Sequence, residues 1–110
     1  MQHQLAIGII ETCGMPAAII AADLLEKGAH VQVVGLENTD AGRISVLVRG
    51  ETGAVNTAIQ SAIASLQTRP EVIILGSHVV PCPEQFTNLA RFLTAYRQPS
   101  SGDSVEWLDD

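Results

Sequence analysis

The chain has 110 residues, 46% of them apolar and only 4% aromatic. That is enough for one domain with a single core built from Ala, Val, Ile and Leu. The net charge of −6 is concentrated at the end, where Asp103, Glu106, Asp109 and Asp110 fall in the last ten residues. A nearly neutral body without clustered Lys or Arg lacks the basic footprint of a nucleic-acid binder, and no apolar run is long enough to span a bilayer.

Leu5–Ile10 is a short apolar run that reads as a strand buried on both faces, with Gly8 letting another backbone come close. Gly14 breaks the run and Pro16 stands where a first helical residue is expected. The helix that follows places Ile20, Leu24, Ala17 and Ala21 on one side, and ends on Lys27 and Gly28. Val31–Leu36 reads as a second strand and 37–42 as a polar loop. Arg43–Arg49 alternates, with Ile44, Val46 and Val48 on one face and Arg43, Ser45, Leu47 and Arg49 on the other, so it reads as a third strand in a hairpin with the second.

The clearest helix is Thr52–Gln67, where Val55, Ala58, Ile59, Ala62, Ile63 and Leu66 form one apolar stripe. Val72–Leu75 begins a fourth strand, continuing toward Val80, and Pro81-Cys82-Pro83 reads as an elbow before a short third helix from Glu84. Residues 98–110 read as a flexible acidic tail after a domain at 1–97, against the alternatives that Val105–Leu108 is a docking peptide for a partner or a segment folded back on its own assembly. The order β-α-β-β-α-β plus a C-terminal helix predicts an α+β, ferredoxin-like sandwich, an antiparallel sheet with helices on one face.

Chemistry is sparse. His3, His30 and His78 are scattered, with no carboxylate or cysteine at ligand spacing, so neither a metal nor another cofactor is expected. Cys13 near a helix start, two residues from Glu11, is the one candidate for an activated thiol, against the plainer reading of a small residue in a turn. Gly50-Glu51-Thr52-Gly53 precedes a helix but lacks the lysine of a phosphate loop, and reads as a helix cap. With no acid–base pair and no triad, no catalytic residue is named and an enzyme is not expected. Two cysteines and a polar N-terminus leading straight into a strand point to a cytoplasmic protein with reduced thiols. A small-molecule-binding regulatory domain, with its ligand at a subunit interface, fits the same fold.

Six stretches in order carry a resemblance: Ala6–Gly14, Ala21-Ala22-Asp23 with Lys27-Gly28-Ala29, Val33-Val34-Gly35, Val46–Glu51, Gly53-Ala54-Val55 and Ser77–Pro83. Together they resemble the bacterial microcompartment shell proteins of the single-domain, hexamer-forming class, carboxysomal or catabolic. The resemblance implies that family's permuted ferredoxin-like fold, homohexameric discs tiling into the facets of a shell around encapsulated enzymes, and a central pore for metabolites. Carried over by position, it implies that Asn38, Thr39, Asp40 and Ala41 line the pore, that Lys27 and Cys82 stand at the hexamer edge, and that Asp23 and Arg49 lie near the subunit interface. His78 falls where carboxysomal members often carry a histidine.

The sequence departs from the family in two places. The pore loop usually reads Lys-Ile-Gly-Ser or close to it; here six copies of Asp40 near one axis would favour cations, with Arg43 as a possible offset. The edge motif Pro-Arg-Pro-His is replaced by Pro81-Cys82-Pro83-Glu84, which removes a bridging guanidinium. The expectation is therefore a specialised subunit that needs other shell paralogues, in mixed sheets or mixed hexamers.

Overall fold

A computed structural model describes residues 4–28, 30–82 and 104–107. The elements are β1 (Leu5–Cys13), α1 (Met15–Gly28), β2 (Gln32–Asn38), β3 (Arg43–Glu51), α2 (Thr52–Leu66), β4 (Ile74–Cys82) and β5 (Ser104–Trp107). The strands form one antiparallel sheet in the order β4-β1-β3-β2-β5. β1, α1 and β2 make a split crossover with β3 running back between the two strands, which is the α+β ferredoxin-like arrangement expected from the sequence.

Both helices pack on one face of the sheet. Ile10, Val33, Ile44, Val46 and Val48 from the strands meet Ala18, Ala21 and Leu25 of α1 and Val55, Ala58, Ile59, Ala62 and Leu66 of α2. Each fully buried branched side chain contributes about 1.5–3 kcal/mol. The stripe on α2 is the one its periodicity predicts. On α1 the buried side is Ala17, Ala18, Ala21 and Leu25, while Ile20 and Leu24 are only partly buried. Every residue from Ala17 to Ala22 is apolar, so the sequence there does not set the helix phase, and the small alanines take the crowded side.

Gly8 explains how closely α2 rides on β1. A Cβ there would lie 2.7 Å from Val55 Cγ1, 3.0 Å from Val48 Cγ2 and 3.1 Å from Ile59 Cδ1. The close approach is thus made by side chains of α2 and β3 rather than by another backbone. On the opposite face of the sheet Ile7, Ile9, Val34 and Leu47 are also buried, so β1 is covered on both sides, as its unbroken apolar run implies.

β4 runs through Pro81 to Cys82, so these two residues continue the strand instead of forming an elbow. The strand is at the sheet edge, where one row of backbone groups has no ladder partner and proline is tolerated. A bulge places Leu75 between the pairs Thr12–Ile74 and Glu11–Gly76. Ser104–Trp107, within the stretch read as a flexible tail, pairs with β2 as β5. The helix expected from Glu84 lies outside the described residues.

Candidate functional site

The loop between β2 and β3 is short and tightly held. Thr39 donates both its backbone N–H (2.9 Å) and its hydroxyl (3.0 Å) to the carbonyl of Arg43. Asp40–Gly42 makes one tight turn, with Ala41 at φ 64°, ψ 30° and Gly42 at φ 77°. Both are left-handed, a conformation that costs an alanine about 1–2 kcal/mol and a glycine almost nothing. The N–H of Gly14 donates to the carbonyl of Gly42 at 2.7 Å, tying this loop to the β1–α1 turn, where Gly14 itself is left-handed at φ 90°. The N–H of Cys13 donates to the carbonyl of Ile73 at 3.1 Å, bringing the approach to β4 to the same end of the domain. Asn38, Thr39, Asp40 and Ala41 therefore stand together at this end.

The other candidates stand away from that loop. Cys82 closes β4 opposite Leu5, the first residue of β1, and so lies at the far end of the sheet from the loop. Lys27 is in the last turn of α1, which runs back along β1 toward that same far end. Its ammonium is 2.8 Å from Asp23, one turn earlier, in an exposed ion pair. Arg49 bonds through Nε to Gln32 Oε1 at 3.2 Å, across the β2–β3 pair. Asp23 and Arg49 are thus not partners within the subunit; each is engaged locally.

Register assembles one cluster that the sequence reading missed. Glu11, Arg43 and His78, from three adjacent strands, meet on the sheet face opposite the helices. Glu11 Oε1 is 3.5 Å from His78 Nε2, and Glu11 Oε2 is 4.0 Å from Arg43 Nη1. His78 therefore has a carboxylate neighbour after all. Arg43 leans toward Glu11. The row Glu11–Ser45–Glu37 continues across β1, β3 and β2, with Ser45 and Glu37 each only 3% exposed. The signal was available in principle: once β1 is placed between β3 and β4, odd positions of β1 and β3 share a face.

The remaining sequence candidates are placed simply. Cys13 is an exposed free thiol at the end of β1. His30 is exposed between α1 and β2. At the start of α2, Glu51 makes no side-chain capping bond, so the cap expected there is not formed, and the N–H and hydroxyl of Thr52 both donate to the carbonyl of Gln4. Among the described residues no three His, Cys, Asp or Glu side chains gather as a metal site, and no helix is long and apolar enough to cross a membrane.

The BMC domain family matches residues 6–83, a span that contains β1 through β4 and both helices apart from the first residue of β1. Among similar proteins, the bacterial microcompartment shell protein PduA of Citrobacter freundii is 42% identical over 74% of this chain and 85% of its own length. The carboxysome shell protein CcmK1 of Synechocystis is 35% identical over 74% of this chain and 73% of its own. The carboxysome shell protein CsoS1 of Prochlorococcus marinus is 38% identical over 74% of this chain and 78% of its own. Among solved structures, a microcompartments protein from Desulfitobacterium hafniense shares the fold with a TM-score of 0.59 at 23% identity, covering 70% of this chain but only 41% of that longer one. With four strands, two helices and their connecting loops all inside the matched span, the chain belongs to the BMC-domain family of bacterial microcompartment shell proteins.

Proposed function

We propose that this protein is a structural, non-enzymatic subunit of a bacterial microcompartment shell, which assembles as a cyclic hexamer with a central pore and tiles into facets. The observation that carries the reading is spatial. The loop 38–42 stands at one end of the domain, and Lys27 and Cys82 lie toward the opposite end. A ring of subunits with the loop inward puts those two at the rim. The shell domain spans 1–97 and 98–110 is an acidic extension.

Exposed apolar side chains support burial between copies. Met15 and Ile19 on α1, Ile73 just before β4 and Leu75 near its start are all exposed in the single subunit. Asp23 and Arg49 lie at the subunit interface. With Arg43 drawn toward Glu11, the pore carries the negative potential of Asp40 and favours cations over anions. The carboxysome, in the cytoplasm, is the proposed location, on the strength of His78 and of the carboxysomal relatives; PduA among the relatives makes other microcompartments the rival assignment. The partners are further copies, shell paralogues in mixed sheets or mixed hexamers, and the enclosed enzymes.

Native mass spectrometry with negative-stain microscopy tests this. A hexamer forming discs is expected from the purified chain, or from the chain co-expressed with a main shell paralogue. A monomer, dimer or trimer under both conditions would overturn the hexamer.

A further inference from the structure

A cavity of about 510 Å³ lies between the last turn of α2 and the start of β4, at the outer edge of the sheet. Much of its wall is apolar. Ile63 of α2, Val72 and Ile74 all line it, and each is partly buried against the core cluster. Leu75 adds an exposed apolar side. It is the extra residue of the β4 bulge, a feature that bends a strand and re-aims a side chain. Three polar side chains share the lining: Gln67, one helical turn after Ile63, then Arg69 and Ser77. An apolar concavity of this size with a few polar groups is the usual form of a small-molecule site, for which volumes run about 300–1,000 Å³.

Arg69 sets the class of ligand. Among the described Lys and Arg side chains, Lys27 pairs with Asp23, Arg43 lies toward Glu11 and Arg49 bonds Gln32, whereas the Arg69 guanidinium has no partner. In a chain with 12 Asp and Glu against 6 Lys and Arg, an arginine left without a carboxylate is the exception. It does not cap α2 either. The carbonyls of Ile63, Ser65 and Leu66 accept from the backbone N–H groups of Gln67, Thr68 and Arg69 at 2.9, 3.2 and 3.0 Å. The N–H of Val72 donates to the carbonyl of Arg69 at 3.1 Å, so the guanidinium projects from a held turn. Its planar fork of donors matches a carboxylate, and no acidic side chain lines the cavity to compete. No second cation lines it, which argues for a single negative charge, and no aromatic ring lines it, which argues for an aliphatic body.

We propose that this cavity binds a small aliphatic monocarboxylate. The carboxylate sits on Arg69, with the Gln67 amide and the Ser77 hydroxyl as further donors, and the tail lies over Ile63, Val72, Ile74 and Leu75. The site goes beyond the shell reading and does not rest on it. Leu75 is also among the side chains proposed to meet another copy, so the chain is titrated in the assembled form it adopts.

Octanoate added to the full chain, with the isoleucine δ-methyl NMR signals as the readout, tests it. Saturable shifts are expected at Ile63 and Ile74, with Ile19, exposed on α1, unmoved. Affinity is expected to fall about two- to fourfold for each methylene removed from the tail. Arg69→Gln, at an exposed position, is expected to weaken octanoate about tenfold or more while leaving the denaturation midpoint unchanged. Octylamine, with the same tail and the opposite charge, is expected to leave Ile63 and Ile74 unmoved. No shift at these two methyls, shifts that appear equally at Ile19 or do not saturate, or an unchanged affinity in Arg69→Gln would overturn the site. Octylamine binding as well as octanoate would overturn the carboxylate, and this comparison on the natural chain decides alone if Arg69→Gln fails to fold.

Discussion

Glu11 Oε1 lies 3.5 Å from His78 Nε2, across the pairing of β1 with β4. The glycine opposite Glu11 makes that contact possible. A Cβ on Gly76 would come within 3.1 Å of the same carboxylate oxygen and 3.9 Å of the histidine nitrogen.

The cost of Gly76→Ala therefore depends on Glu11. In the natural chain the added methyl pushes the carboxylate aside, which costs up to about 1 kcal/mol of the ion pair and offsets the preference of a strand for alanine over glycine, about 0.5–1 kcal/mol. In a Glu11→Ala background the obstacle is gone and only the gain remains. Gly76→Ala should thus be more stabilising without Glu11 than with it, by up to about 1 kcal/mol. Urea unfolding of the four proteins in the cycle measures this; an equal effect in both backgrounds would mean that the carboxylate does not hold Gly76 as glycine.

Gly8→Ala meets a less forgiving environment. The 2.7 Å approach is to Val55 Cγ1, a branched side chain locked in the core, so α2 must move away from the sheet. A loss of about 1–3 kcal/mol is expected. Val55→Ala alone also destabilises, by leaving a cavity, but the two changes together should cost less than their sum. Simple additivity in denaturant midpoints would rule out the proposed clash.

Much of this was legible beforehand because it depends on local pattern. The stripe Val55–Leu66 has helical period, the residues Ile44, Val46 and Val48 have strand period, and each settled both its element and its buried face. The phase of α1 was not legible, because Ala17–Ala22 presents no polar residue to mark the outside. The Glu11–Arg43–His78 cluster was hidden for a different reason. Its members are far apart in sequence, and only the register of β1 against β3 and β4 brings them together. β5 was not legible as a strand because Ser-Val-Glu-Trp is only four residues long and lies in an acidic, Ser- and Gly-containing stretch; its pairing partner, the edge of β2, is far away in sequence.

The loop 39–42 stores strain at one residue. Ala41 sits at φ 64°, where a Cβ is unfavourable, and neighbouring Gly42 at φ 77° is in the same region without penalty. Ala41→Gly is expected to raise stability by up to about 1 kcal/mol, and Gly42→Ala to lower it by about 1 kcal/mol. Gly42→Ala should also loosen the 2.7 Å bond from Gly14, which hydrogen exchange at the Gly14 amide would register as lost protection. Equal stability for both variants would mean that the turn relaxes out of the left-handed region.

Lateral assembly gives the prediction that bears most directly on the shell reading. If Cys82 occupies the position of the family's edge arginine, Cys82→Arg restores a planar fork of donors that a thiol lacks. Cys82 is the last residue of β4, an edge strand of the sheet. Cys82→Arg is expected to leave the hexamer unchanged and to increase the extent of tiled sheets in negative-stain images. Lys27→Ala should act in the opposite direction. Its side chain is 72% exposed and its ammonium pairs with Asp23 on the same helix, so its removal costs the subunit little, on the order of 0.3–0.5 kcal/mol for an exposed helical pair. A loss of sheets with an intact hexamer and a nearly unchanged denaturation midpoint places Lys27 at the rim. A loss of the hexamer itself would instead place it between subunits, and unchanged sheets in both variants would remove Lys27 and Cys82 from the edge.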